Sequence, residues 1–303
     1  MVKLYIIGNG FDKAHKLLTG YDNFKKWLGN EYPTVEQNFS KLLEKFISSE
    51  AKKVNDLWCS LEESLTKFDN SFFEEAAGDY YNEDLTEYEN VSLQELEQVI
   101  RVFNQLKWAF SKWVNSIKIN PARIPYNLSP DDYYMTFNYT STLETIYGIP
   151  QKAIFHVHEL QNSDIIMGHN NNYHSAFNHT GILPNGDVEL MHGIAEDNYK
   201  IQELRYVVQQ VQELLYKPIE EKLIPALDKW LVDKDNPAEI IVLGHSYGMV
   251  DSKYFRFLKE KYPDSSWTYN VYDQETEDRL YSLLEAQRKN KQSEDENSGR
   301  NKA

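Results

Sequence analysis

Four short segments of this 303-residue chain set glycines or polar side chains directly behind apolar runs, as happens where strands end. The first is Gly8-Asn9-Gly10-Phe11-Asp12, between Lys3–Ile7 and a helical start. Glycines there remove the Cβ atoms that would keep a phosphate from backbone N–H groups at a helix N-terminus. The full dinucleotide fingerprint wants a third glycine where Lys13 stands, so a tight strand-to-helix turn without ligand fits the same residues. The second is Thr136-Phe137-Asn138-Tyr139-Thr140-Ser141, in which Asn138 offers both a donor and an acceptor. Thr140 or Ser141 can equally cap the next helix, with Glu144 near its first turn. The third is Phe155-His156-Val157-His158-Glu159, where strand alternation would turn His156 and His158 to one side. Each is read as a catalytic imidazole or as half of a structural pair. A metal would need a third ligand, and His169, His174, His179 and His192 stand at no recognised spacing, so none is expected. The fourth, Gly244-His245-Ser246-Tyr247-Gly248, spells the G-x-S-x-G of a serine hydrolase elbow, continuing to Asp251. That fold needs a histidine after the serine, and His245 is the last in the chain. The turn can instead hold ribose or phosphate through Gly244, Ser246 and nearby N–H groups.

The elements that must position these segments follow from hydrophobic pattern. Strands are expected at Lys3–Ile7, Tyr133–Phe137, Ala153–Val157, Asp164–Met167, Glu239–Leu243 and Trp267–Tyr272. Ile6-Ile7 and Ile240 to Leu243 are apolar on both faces, which favours a parallel sheet covered by helices on each side. Between the first two strands, Val35, Phe39, Leu42, Leu43, Phe46 and on to Phe68 follow a helical period, as do Leu93 to Ile117. These two stretches are expected to pack together as a helical insertion over about residues 30–120. A third helical stripe runs from Leu204 to Leu227, with a kink expected at Pro218. The acidic, Tyr-rich stretch from Phe73 to Glu89 reads as a solvated loop. One α/β domain over 1–285 followed by a disordered tail at 286–303 is the resulting layout.

Composition narrows the function classes. With 32 Lys+Arg against 47 Asp+Glu the formal net charge is -15, which disfavours non-specific nucleic-acid binding. The one cysteine, Cys59, makes no intrachain disulfide. No apolar run reaches the roughly 18 residues that span a bilayer. A cytoplasmic protein without membrane contact is expected.

Taken jointly, GNGFD, FNYTSTLE, HVHE with IIMGH, and GHSYGMVD resemble the bacteriophage abortive-infection AbiH family, whose pattern opens with GNGFD and a following H-G-L-P-T. The resemblance covers Met1 to about Tyr272. It departs at His15-Lys16-Leu17-Leu18-Thr19, where the family's Gly and Pro are lost, and at Glu159, where glycine is usual. Trp58-Cys59-Ser60-Leu61-Glu62 is similar to a Trp-to-Glu pattern of the same family. The motif order also resembles sirtuin-like domains that surround NAD. That likeness implies a Rossmann-like, mostly parallel sheet, and matches Thr136 and Asn138 to a T-x-N segment, His158 to a histidine-glycine step, and Gly244 with Ser246 to a late turn.

What the resemblance implies is an antiphage protein that binds NAD or a related nucleotide and hydrolyses it when a phage-derived component triggers it. Asn138, His158 and His156 are the implied catalytic residues. Gly8, Asn9, Gly10, Phe11, Asp12, Thr136, Tyr139, Gly244, Ser246 and Asp251 are the implied nucleotide contacts. Two other readings stay open: a non-enzymatic, nucleotide-gated sensor or scaffold working through homo-oligomers, and a serine hydrolase built on Ser246.

Overall fold

The computed structural model describes residues 1–47, 57–58, 61–65, 89–120, 124–158, 210, 213–214 and 216–285. The expected strand at Asp164–Met167, the acidic stretch at 73–88, the tail at 286–303, Cys59, Glu159 and the four later histidines lie outside these residues. The chain divides into two compact units, one of residues 1–20, 116–165 and 218–303, the other of 21–115 and 166–217.

The first unit is α/β. Five parallel strands, β1 (Lys3–Ile7), β2 (Tyr133–Thr136), β3 (Ile154–His156), β4 (Glu239–Leu243) and β5 (Ser266–Tyr269), lie in the order β3-β2-β1-β4-β5. Central β1 explains its own position. Leu4, Tyr5, Ile6 and Ile7 are all buried, so both faces must be covered. Edge strand β5 instead exposes Ser266 and Thr268 on alternate positions. The expected bounds of β1 and β4 are the observed ones, whereas β3 stops at His156 and β5 at Tyr269.

Tyr5, Ile7, Tyr134 and Ile154 pack on one face against Phe11 of α1 (Asn9–Ala14), a helix that enters directly from β1. The rings of Tyr5 and Tyr134 stack there at 5.1 Å. Leu143 joins the same cluster. It comes from the short helix after β2, Thr142–Tyr147, which stops at Gly148, held left-handed at φ 65°. That turn folds Ile149 back into the cluster beside Leu143. The opposite face is covered by the helices Ile224–Leu231 and Ser252–Lys261, which bury Leu227, Leu231, Tyr254, Phe255 and Leu258. Pro218 does more than kink a helix. Residues 216–218 are not helical, and a π-helical turn over Ile219–Leu223 starts beyond it, with the Pro218 carbonyl accepting from the Lys222 and Leu223 N–H groups at 3.1 Å. Proline's missing N–H and its steric bias on Lys217 stop the helical ladder at that point.

The second unit is helical in its described part, with α2 (Tyr21–Glu31), α3 (Pro33–Ile47), α4 (Leu61–Leu65) and α5 (Glu89–Ser116). In chain order the helix Thr142–Tyr147 is therefore α6, Ile224–Leu231 is α7 and Ser252–Lys261 is α8. The two stripes expected to meet do so: Phe39 of α3 contacts Phe103 of α5 edge-on at 5.5 Å and Trp58 at 4.9 Å. α2 was not expected. It inserts Phe24 against Phe110 at 5.0 Å with the rings perpendicular, a favoured geometry for their quadrupoles.

Candidate functional site

Strand register decides what meets at the carboxyl end of the sheet. Ile7 pairs with Thr136 and with Leu243, and Thr136 pairs with His156. The next residues along the four strands are therefore Gly8, Phe137, Val157 and Gly244. The predicted segments, widely separated in the chain, emerge side by side from neighbouring strands.

At the β1 and β4 ends the glycines serve contact between two backbones. The N–H of Gly8 donates to Leu243 O at 2.9 Å and that of Gly10 to Gly244 O at 2.7 Å. A Cβ on Gly244 would lie 2.2 Å from Phe11 N, and its φ of +66° already disfavours any other residue. The glycines thus clamp the two loops together, and these two N–H groups are engaged within the protein. Asn9 is committed as well, its amide bonding both the carbonyl and the hydroxyl of Thr19.

The segment His15–Thr19 departs from the family pattern at Lys16 and Leu18. Lys16 adopts φ 67°, the left-handed conformation, at the position where that pattern has glycine. His15 is buried, with Nδ1 2.7 Å from Phe11 O and Nε2 2.7 Å from the Tyr147 hydroxyl. Since the carbonyl can only accept, Nδ1 carries the proton and Tyr147 donates to Nε2. Burial pushes the Tyr147 hydroxyl up to about 12, so it stays a donor.

Between β1 and β2 lies a buried polar group. Asp12 is 1% exposed, and its Oδ2 accepts from Thr140 Oγ1 at 2.6 Å. Thr140 in turn meets Thr142 at 2.9 Å. Burial raises the Asp12 carboxyl above its ordinary value, opposed by Thr140, Thr142, Asn138 and His15. Asn138 is 5% exposed. Its backbone N–H donates to Thr136 Oγ1 at 3.1 Å. Neither amide atom of its side chain, Oδ1 nor Nδ2, has a hydrogen-bond partner among the described residues, and the same holds for Asp12 Oδ1. Asn138 stands beside Asp12 and opposes the shift there. Leaving such a buried group unpaired costs about 1–3 kcal/mol, so the position calls for a partner from outside this group.

At the β2 and β3 ends, Tyr139 stacks on His158 with ring centroids 4.6 Å apart and planes 16° from parallel. His156, the last residue of β3, has its Nε2 2.9 Å from Glu144 Oε1. His156 Nδ1 and Glu144 Oε2 are buried without hydrogen-bond partners among the described residues. The expected cap of α6 is not made: Ser141 stands at the N-cap with no capping bond, Thr140 is held by Asp12, and Glu144 reaches across to β3. The sequence alone places Glu144 in a helix start rather than among the site residues. Its one signal in the chain was a carboxylate a short helix and turn ahead of a strand-end histidine.

The β4 end differs. Tyr247 N–H donates to His245 Nδ1 at 2.9 Å, so the ring proton sits on Nε2, which faces Asp251 Oδ2 at 3.4 Å. Asp251, an expected nucleotide contact, is therefore turned to His245. Ser246 is exposed. Gly244 and Tyr247 take positive φ, and the turn Met249–Asp251 separates Ser246 from α8 at Ser252. The strained serine placed at the first turn of a helix, which defines the hydrolase elbow, is not formed.

Among the described residues no three His, Cys, Asp or Glu side chains gather as a metal would require, and no helix is long and apolar enough to cross a membrane. No curated protein and no solved structure matches the chain. The family model for bacteriophage abortive infection AbiH matches residues 4–272, nearly the whole of both units. That span includes all four strand-end segments, and the chain belongs to the AbiH family of bacteriophage abortive infection.

Proposed function

We propose that this abortive-infection protein binds NAD or a related nucleotide at the carboxyl ends of β1, β2 and β3, and hydrolyses its N-glycosidic bond when a phage-derived component triggers it. The observation that carries the reading is Asn138, a buried amide whose donor and acceptor both lack partners among the described residues. Two features support it. The strand order β3-β2-β1-β4-β5 is that of Rossmann-like sheets, in which ligands bind outside the carboxyl ends of the strands. The motif order resembles that of sirtuin-like domains, with Thr136 and Asn138 at the end of β2 and a histidine at the end of β3.

Rupture of a nicotinamide–ribose bond leaves an oxocarbenium-like carbon that water must meet. Asn138 is suited to hold ribose or that water through both of its amide atoms, and an imidazole of β3 takes the water proton. Tyr139 and Asp12 line the same strand ends. Binding of the diphosphate falls to groups other than the Gly8 and Gly10 N–H donors, since both are bonded to the β4 loop.

The test is incubation of the full chain with NAD, with and without phage lysate, following nicotinamide and ADP-ribose by chromatography. Release is expected to fall about 100-fold in Asn138→Ala. Absence of release from the wild type while NAD still binds would leave the second reading, a nucleotide-gated sensor. That reading draws on Lys16, which holds a left-handed turn where the family pattern has glycine and so marks a site under altered constraint.

A further inference from the structure

We infer that His156 is the proton-accepting residue of this site, that Glu144 is its positioning residue, and that His158 serves as a stacking platform. The inference rests on the glycohydrolase reading above and decides between two histidines that the sequence alone leaves level.

The argument is one of hydrogen-bond inventory. A neutral imidazole has one donor and one acceptor, and a carboxylate oxygen can only accept. Glu144 Oε1 at 2.9 Å therefore takes the Nε2–H of His156 and leaves the lone pair on Nδ1. That nitrogen is buried and has no hydrogen-bond partner among the described residues, while the imidazole side chain is 10% exposed. A buried acceptor whose opposite edge is anchored by an acid is the arrangement of a general base. The charged group in contact with His156 among the described residues is Glu144, and its register neighbour on β2, Thr136, is neutral. Of the three buried histidines among the described residues, His15 and His245 have no such opening. His15 uses both nitrogens on Phe11 O and Tyr147, and His245 uses both on Tyr247 N–H and Asp251. The state of Nδ1 does not by itself separate His156 from His158, since both atoms are buried outside the hydrogen bonds of the described residues; the difference is that Glu144 stands 2.9 Å from His156 Nε2, whereas the His158 ring lies flat on Tyr139 with Phe137 edge-on at 6.3 Å.

The step balances without a further reactant. The nicotinamide–ribose bond breaks with its electron pair going to nicotinamide, which leaves neutral. Water oxygen forms the new bond to the ribose carbon, and one water proton passes to His156 Nδ1. The imidazolium then keeps its Nε2–H on Glu144 and returns the Nδ1 proton to solvent.

Three full-length variants test it, with nicotinamide release as the rate and 15N spectra of labelled histidine as the readout of ring protonation. His156→Ala is expected to lose about 100-fold in kcat, with partial recovery on adding free imidazole. Glu144→Gln keeps a hydrogen-bond acceptor, and is expected to lower kcat about tenfold with KM unchanged. His158→Phe keeps the ring stack, and is expected to lower kcat less than His156→Ala does and to gain nothing from free imidazole. In the wild type the spectrum is expected to place the His156 proton on Nε2. A proton on Nδ1, a His158→Phe enzyme that loses kcat while His156→Ala keeps it, or no imidazole recovery would overturn the assignment while leaving NAD hydrolysis intact. Absence of nicotinamide release from the wild type under every condition would remove the reaction itself, and the inference with it.

Discussion

The ends of β3 and β4 hold the same pair of residue types in opposite states. At β4, His245 is enclosed: Tyr247 N–H fills Nδ1, Asp251 faces Nε2, Tyr272 donates to its carbonyl at 2.9 Å, and Phe137 packs on the ring at 4.8 Å. At β3, His156 meets Glu144 on one nitrogen and no hydrogen-bonding group among the described residues on the other. An imidazole with both nitrogens engaged locks a loop. One with a single nitrogen anchored is poised to take a proton. Residue type does not separate the two cases, whereas the count of committed ring nitrogens does.

The largest break in this comparison is at the β4 loop itself. Gly244→Ala forces a Cβ to within 2.2 Å of Phe11 N on a backbone at φ +66°. It is expected to destabilise the protein by about 4 kcal/mol or to prevent folding, read by urea unfolding. Next come the two histidines. His245→Ala removes the acceptor of a buried N–H and opens a space beside Phe137 and Phe255, and is expected to cost about 3 kcal/mol. His156→Ala is expected to cost about 1 kcal/mol, since less of its bonding capacity is engaged. Equal losses would mean that the two histidines are held alike.

Asp12 sharpens the comparison through pH. Burial raises its folded-state pKa above the ordinary value, so the folded form holds its proton more firmly than the unfolded chain does. The sign follows: stability from this group is full below the unfolded value and declines as pH rises through the folded one. Asp12→Asn is therefore expected to raise the melting temperature at neutral pH by about 2 °C, and to flatten the decline of stability between acid and neutral pH. A lower melting temperature at neutral pH would show that the charged form is the one the fold favours. The smallest effect is expected at Lys16→Gly, where relief of a left-handed lysine stabilises by about 0.5–1 kcal/mol. No gain would mean that the Lys16 side chain has contacts that offset its backbone strain.

Much of the sheet was legible because its signal is local. A β-branched run such as Glu239–Leu243 reads as a covered parallel strand wherever it stands, and its bounds are the observed ones. α2 escaped because Phe24 and Leu28 make only a short stripe, interrupted by Lys25-Lys26 and Gly29, and such a stripe also fits a loop. The site was legible as a list of positions at strand ends and illegible as a set of partners. Thr140 and Glu144 looked like a helix start, a local use that their side chains abandon for Asp12 and His156.

The sequence by itself determined the strands, the two-sided burial of β1 and the placing of glycines and polar residues directly behind them, because hydrophobic period and turn chemistry act over a few neighbouring residues. Only the tertiary structure decided that Gly8 and Gly10 face the β4 loop, that Asp251 closes His245, and that Glu144 leaves one nitrogen of His156 open. A buried donor or acceptor takes whichever partner the fold brings within about 3 Å; for Gly8 and Gly10 the pairing of β1 with β4 sets that distance, and for His245 and His156 the path of the chain beside each strand end does.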